Sequence, residues 1–155
     1  MKTLLYILTA FFFATQLYAQ PQAIELRVLQ GYHANNKLKL DKGVNYLIFS
    51  KQRDFERYFG KIKREDMPNF EFEHVIVMLT APTKEQYFLS FQPKAMKAGY
   101  YIEVYCSVKY DKHELTYFDH PIAIAALPKY FAVTQINFYS DGKKKLLKSV
   151  NVRAK

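Results

Sequence analysis

The chain has 155 residues, of which 50% are hydrophobic, and its 23 Lys and Arg against 14 Asp and Glu give a formal net charge of +9. This length favours one domain built on one hydrophobic core. The single cysteine excludes an intramolecular disulfide. The sequence has only five glycines and no P-loop, dinucleotide-binding or nucleophile-elbow motif, so we expect no cofactor.

The N-terminus is typical of a secretory signal peptide. Lys2 precedes the apolar run Leu4–Leu17, and the small residue Ala19 follows it. This run is shorter than the roughly 20 residues that a transmembrane helix needs. We predict a signal peptide over residues 1–19 and a single β-rich domain over residues 20–155. The mature chain is expected in the periplasm or secreted, without membrane insertion; the alternative is an uncleaved anchor.

The next segments predict two strands and a helix. Ile24–Val28 alternates between apolar and polar residues, and Val44–Phe49 is a second apolar segment of strand length. Ser50 is a good N-cap residue, and the apolar positions that follow it have helical spacing. We therefore predict a short helix over Lys51–Phe59, ended by Gly60.

The remaining pattern is almost entirely of β type. The continuous apolar run Val75–Leu79 predicts a central strand that is buried on both faces. Further strands are predicted at Tyr87–Phe91, Tyr100–Tyr110, Glu114–Phe118, Ile122–Leu127, Val133–Tyr139 and Lys144–Val152. The expected fold class is α+β, a sandwich-like arrangement of about eight mostly antiparallel strands with one short helix.

The long strand Tyr100–Tyr110 has two different faces. Ile102, Val104 and Cys106 share one face at period two, so we predict that the cysteine is a small buried core residue and not a nucleophile. A hairpin connection is predicted directly after this strand, at Asp111–Lys112.

Aromatic residues are the most unusual part of the composition, with 13 Tyr, 13 Phe and no Trp. Tyr101, Tyr105 and Lys109 lie on the second face of the long strand, and Tyr130 follows a proline further along the chain. Tyrosine combines an apolar ring with a polar tip, so these four residues are candidates for binding a protein or a sugar. The alternative, which is the favoured interpretation, is that this face packs under the helix or under another sheet and leaves no exposed stripe.

Catalytic and metal-binding patterns are weak. Glu71 and Glu73 flank Phe72 and would lie on one side of a strand as a paired acid and base, although an exposed strand edge is the favoured interpretation. Four histidines have no metal-ligand spacing, and we predict no metal site and no catalytic residue; they are His33, His74, His113 and His120.

Three segments occur in an order that resembles a known family. They are Tyr46–Ser50 with the helix behind it, Phe70–Phe72 with Val75–Leu79 and Pro82-Thr83, and His120–Ile124 with Pro128-Lys129. This order resembles the PrcB C-terminal domain family, known from a subunit of a bacterial protease complex. One departure is that Lys84–Tyr87 stands where the family has Gly-Gly-Tyr. The resemblance implies a noncatalytic envelope domain that stabilises or escorts a protein.

We therefore expect an exported, noncatalytic binding or accessory module whose partner is an envelope or secreted protein, such as a protease. One alternative is binding of an acidic glycan or cell-wall polymer, because loss of Lys2 with the signal peptide leaves a formal charge of +8 on residues 20–155. Another alternative is a small hydrolase. Nucleic acid is not an expected partner of an exported chain.

Overall fold

The computed structural model describes residues 20–35, 38–61, 65–141 and 145–152. The predicted signal peptide, residues 1–19, lies outside these ranges. Within them the chain forms one helix, α1 Gln52–Phe59, and ten strands: β1 Gln22–Glu25, β2 Arg27–Leu29, β3 Val44–Phe49, β4 Glu73–Thr80, β5 Thr83–Phe91, β6 Lys94–Ala98, β7 Tyr101–Asp119, β8 Ile122–Pro128, β9 Gln135–Ser140 and β10 Leu146–Asn151.

The strands form two sheets. The β7 sheet has the order β1-β6-β7-β9-β10, with β5 also pairing with β7, and the β4 sheet has the order β2-β8-β4-β3. The pairs are antiparallel except for β7 with β9, which are parallel because β8 crosses to the other sheet between them. The predicted fold class, β-rich α+β with mostly antiparallel strands and one short helix, is confirmed.

The β4 sheet is the middle layer of three. Ile76 and Met78 face the β7 sheet, in a core that also contains Val104 and Phe138. Val75, with its same-face neighbours on β4, faces α1 in a second core. All five residues of the run Val75–Leu79 have no exposed surface, so the prediction of a central strand buried on both faces is confirmed.

The helix matches its prediction to within one residue, but its predicted cap is wrong. Lys51 is the N-cap residue, and no side chain caps the helix there. The Ser50 hydroxyl lies 2.9 Å from Nδ1 of His74 on β4, so it contacts this strand instead of capping the helix. Gly60 ends the helix as predicted, with a φ of 78° that favours glycine. Of the described residues, those in helical conformation form no segment long and apolar enough to span a membrane.

The predicted first strand divides between the two sheets. β1 pairs with β6, whereas β2 pairs with β8. Leu26 lies between them, is buried, and donates its N–H to the carbonyl of Pro93 at 2.8 Å. The nine strand segments named from the sequence become ten strands, because this division and the additional strand β6 each add one and the fusion of two predicted strands into β7 removes one.

The predicted hairpin at Asp111–Lys112 is wrong, because β7 continues to Asp119. Lys112 and His113 fall between successive β5–β7 pairs, so they form a bulge in a continuous strand. The Asp111 carboxylate accepts the N–H of His113 at 3.2 Å and lies 2.7 Å from its Nδ1. The Asp111 carboxylate therefore contacts His113 locally, and the chain does not reverse its direction there.

Candidate functional site

The second half of β7 leaves the body of its sheet. β9 ends at Ser140, which is paired with Cys106, and beyond this point β7 pairs only with β5 within the described ranges. Residues Thr83–Ser90 of β5 and Ser107–Asp119 of β7 therefore form a two-stranded extension, which we call the ribbon. Each strand of the ribbon has one edge without a neighbouring strand in the described part of the chain.

The ribbon carries a concentration of exposed apolar side chains. Ten large hydrophobic residues are exposed in the described part of the chain, and five of them lie on the ribbon: Phe88, Val108, Tyr110, Tyr117 and Phe118. Phe118 is 68% exposed, and the Lys84 ammonium lies 5.6 Å from its ring centroid. Single exposed apolar residues are ordinary on protein surfaces, whereas clustered ones mark interaction sites.

A second group of aromatic residues covers the outward surface of the β7 sheet. Tyr101 and Tyr105 lie here together with Tyr139 of β9, and Glu103 lies between the first two; we call this surface the outer tyrosine face. The Tyr105 hydroxyl donates to Glu103 Oε2 at 2.8 Å, which raises the pKa of Tyr105 to about 12. The Tyr105 and Tyr139 ring centroids are 6.1 Å apart.

The outer tyrosine face borders an open cavity of about 380 Å³. Its lining residues are Gln92, Pro93, Lys94, Met96, Tyr105 and Asp141. Gln92 Nε2 donates to Asp141 Oδ2 at 2.8 Å, so part of the polar lining is already hydrogen-bonded within the protein. The cavity therefore combines the Tyr105 ring, the Lys94 ammonium and the Asp141 carboxylate, one oxygen of which is already hydrogen-bonded. This set suits a polar group that lies flat on the sheet.

The four predicted binding residues do not form one site. Tyr101 and Tyr105 lie together on the outer tyrosine face, and Lys109 lies on the ribbon opposite Phe88, about 13 Å along the strand from Tyr105. Tyr130 packs against the edge of the core between the sheets, and its ring centroid is 5.3 Å from the Lys97 ammonium. The structure therefore places Tyr101 and Tyr105 side by side, Lys109 further along the same strand, and Tyr130 at a separate position.

The outer tyrosine face is not covered by the helix. The buried helix residues Phe55 and Phe59 pack against the β4 sheet, on the opposite side of the molecule from this face. Tyr101 and Tyr105 are half-buried by their own neighbours in the β7 sheet. Among the described residues, no further sheet packs on them. The tyrosines are therefore accessible to a ligand that lies on the sheet.

The arrangement that most resembles a catalytic pair is Ser50 with His74. The two side chains are 2.9 Å apart, but His74 is buried, and burial together with the nearby Lys129 ammonium lowers its pKa to about 4. A general base works best with a pKa near the operating pH, so this imidazole is a weak base at neutral pH. The Lys129 ammonium also donates to the carbonyls of Ser50 and Phe70, which ties three segments together. These contacts are those of a structural cluster.

The two glutamates do not form a pair on one strand. Glu71 lies in the turn before β4, and only Glu73 is part of the strand. The Glu73 carboxylate accepts two hydrogen bonds from Arg27 Nη2, at 2.7 and 2.9 Å, and one from the Asn69 N–H at 2.7 Å. The sequence-based placement of both acids on one strand is therefore wrong, and Glu73 links β2 to the turn before β4.

Cys106 is buried at 1% exposure in the core between the sheets, and burial raises the pKa of its thiol to about 12. The prediction that it is a small core residue is confirmed. Within the described ranges, no three His, Cys, Asp or Glu side chains lie close enough together to hold a metal ion.

The ribbon was not predicted from the sequence, because the exposure of its side chains results from the lack of a second neighbouring strand among the described residues. Val108 and Tyr110 continue the alternating pattern of the buried part of β7, and Tyr117 and Phe118 read as another strand. The adjacent aromatic residues Tyr117 and Phe118, in a segment rich in charged residues, were the one local signal of an exposed apolar surface.

Comparison with protein-family models, with curated proteins and with solved structures found no match. The resemblance to the PrcB C-terminal domain family therefore stays a prediction from the three sequence segments.

Proposed function

We propose that this protein is a noncatalytic, exported binding module that docks a protein partner through the ribbon. The observation that carries the proposal is the set of five exposed apolar side chains on the two strands of the ribbon. The predicted signal peptide supports export. The resemblance to the PrcB C-terminal domain family supports a partner such as an envelope or secreted protease, which the module would stabilise or escort.

A protein fits the ribbon better than a small molecule does. Small ligands are usually enclosed in concave pockets, whereas Tyr117 and Phe118 lie exposed on an extended surface. Aromatic residues supply most of the binding energy in many protein interfaces, because their large rings are removed from water at little entropic cost. Tyr117 and Phe118 are therefore the expected anchors of the interface.

Binding of an acidic glycan is the second candidate, and the cavity beside Tyr105 is the observation that favours it. Lys94 lines this cavity and can pair with a carboxylate or sulfate of a polymer, while the ring offers a stacking surface. Glu103 and Asp141 lie on the same side and would repel an acidic chain. Protein binding is for this reason the first choice.

The proposal is tested by crosslinking and pulldown of the protein from its own cell envelope and medium, at low and high salt. The wild type should recover a reproducible protein partner at both salt concentrations, because apolar contacts are not screened by ions. The double variant Tyr117→Ser/Phe118→Ser should reduce recovery by about tenfold or more, as expected when two aromatic anchors are lost.

The matched control is Phe131→Ser, which removes an exposed aromatic ring outside the ribbon. It should leave recovery unchanged. Loss of the partner in both variants, or in neither, would contradict docking through the ribbon. Recovery of polymer alone, and only at low salt, would favour the glycan candidate.

A further inference from the structure

The open edge of β7 has a defined set of unpaired main-chain groups. The carbonyl of Tyr105 accepts the Gln92 N–H at 2.9 Å on one edge of the strand, and the carbonyl of Cys106 accepts the Asp141 N–H at 2.7 Å on the other. In a strand the N–H and C=O of one residue point to the same edge, and successive residues alternate. Val108 and Tyr110 therefore direct both groups away from β5.

No strand in the described part of the chain occupies this edge. β9 pairs with β7 only as far as Cys106, and the bulge at Lys112–His113 interrupts the edge at its far end. The open stretch thus runs from Val108 to Lys112, about 17 Å for five residues. An edge of this kind is a template for an additional strand.

The stretch Val108–Lys112 contains two lysines and one aspartate, which give it a formal net charge of +1. Lys109 and Lys112 are exposed and make no ion pair with another described residue. Asp111 is hydrogen-bonded to His113, and Glu114 lies 3.9 Å from the Lys84 ammonium. An incoming segment therefore meets two exposed lysines without an ion pair among the described residues, and one carboxylate that is already hydrogen-bonded to His113.

We propose that the open edge of β7 binds a short, extended, acidic segment of the partner protein by strand addition. The proposal rests on the function proposed above and specifies the kind of partner. Apolar residues of the segment would lie beside Val108 and Tyr110 on one face of the ribbon, and acidic residues beside Lys109 on the other. The expected motif is an alternation of apolar and acidic residues over about five positions.

A second copy of the same edge is a poor occupant. Pairing of two β7 edges would bring Lys109 and Lys112 of both copies into one short ladder, where like charges on neighbouring strands are destabilising. The bulge at Lys112–His113 further limits pairing between two identical edges. An acidic strand from another protein does not bring lysines next to Lys109 and Lys112. A strand of about five residues can also end at the bulge.

The test uses a blocked peptide of alternating valine and glutamate, five residues long, and a matched peptide with lysine in place of glutamate. Binding to the purified protein, expressed from the full chain, is followed by the NMR signals and hydrogen exchange of backbone amides. The glutamate peptide should slow exchange at Val108 and Tyr110 and bind about tenfold more tightly than the lysine peptide.

Val108→Pro removes one edge N–H without removing a hydrogen bond to β5, because proline is tolerated where the N–H faces solvent. It should weaken the glutamate peptide by about tenfold. The matched control, Val108→Ala, retains the N–H and should stay within about twofold of the wild type. If Val108→Pro does not fold, the exchange rates of the wild type decide the question.

Equal binding of both peptides would overturn the acidic character of the segment. Unaltered binding to Val108→Pro, or protection confined to the outer tyrosine face, would overturn strand addition. Dimerisation of the protein that protects Val108 and Tyr110 without peptide would also overturn it in favour of a second copy. The two proposals fail separately. If pulldown depends on Tyr117 and Phe118 but Val108→Pro has no effect, strand addition is wrong and the ribbon docks the partner through side chains alone. If Tyr117→Ser/Phe118→Ser leaves recovery unchanged, the proposed function is wrong.

Discussion

The two halves of β7 have the same sequence pattern and different surroundings. Cys106 is 1% exposed, whereas Val108 and Tyr110, on the same face, are 38% and 50% exposed. The first half lies over the β4 sheet and beside β9, and the second half has only β5 as a partner among the described residues. Alternation therefore specifies which way a side chain points, and the neighbouring layer decides whether it is buried.

This comparison separates residues that stabilise the fold from residues that are free for recognition. In the body, apolar side chains are removed from water by the other sheet, so their contribution is stability. On the ribbon, the same residue types gain little from folding and become available to a partner. Matched substitutions in the two regions should therefore have opposite effects on stability and binding.

The largest difference is expected for two phenylalanines. Phe138→Ala removes a fully buried ring of the body and should lower the free energy of unfolding by about 3–5 kcal/mol. Phe118→Ala removes an exposed ring of the ribbon and should change it by no more than about 0.5 kcal/mol. Urea denaturation of both variants measures this. Equal destabilisation would mean that the ribbon is part of the cooperative core.

The next effect is a pH dependence from His74. Its pKa falls from 6.5 to about 4 on folding, so the unfolded state binds the proton first as the pH decreases. Stability should be fully present above pH 6.5 and decrease by about 3 kcal/mol on acidification to pH 4.

The control for this prediction is His74→Gln, in which that part of the pH dependence should disappear even if overall stability is lower. His113 on the ribbon has a raised pKa from its contact with Asp111, so its contribution is lost as the pH rises and has the opposite sign. Identical pH profiles for wild type and His74→Gln would show that the buried imidazole is not the group involved.

The smallest difference compares two valines on one face of β7. Val104→Ala should destabilise the protein by about 2 kcal/mol, because two buried methyl groups are lost and a cavity remains. Val108→Ala should cost no more than about 0.5 kcal/mol. Both losses of unfolding free energy are measured by thermal or urea unfolding. A large loss for Val104 and a small one for Val108 would place the boundary between body and ribbon between these two residues. A larger loss for Val108 would move that boundary towards the bulge.

The elements that the sequence predicts well are those whose local residue pattern is enough to indicate the structure. Val75–Leu79 is apolar at every position, which at this length and before Pro82 indicates a strand buried on both faces, and Cys106 lies in strict alternation with valine and isoleucine. The helix has its apolar residues at helical spacing and a glycine directly after it. Each of these signals is local, so no knowledge of the neighbouring chain was needed.

The features that escaped prediction depend on distant partners. β6 has lysines at two of its five positions, and its strand conformation comes from pairing with β1 and β7. Ser50 is a suitable cap in sequence, but its hydroxyl is held by His74 from another strand. Tyr130 lies in the loop between β8 and β9 and packs against the core, away from Tyr101 on the outer tyrosine face, and the spacing between the two residues does not encode this.

The central claim is that the ribbon contacts a protein partner in the cell. A photo-crosslinking amino acid placed at Tyr117, and in a parallel variant at Phe131, tests it most directly, because both positions are exposed and only the first lies on the ribbon. The account predicts a discrete, reproducible protein adduct from position 117 in intact cells and none from position 131. An adduct from position 131 alone, or equal adducts from both positions, would contradict it.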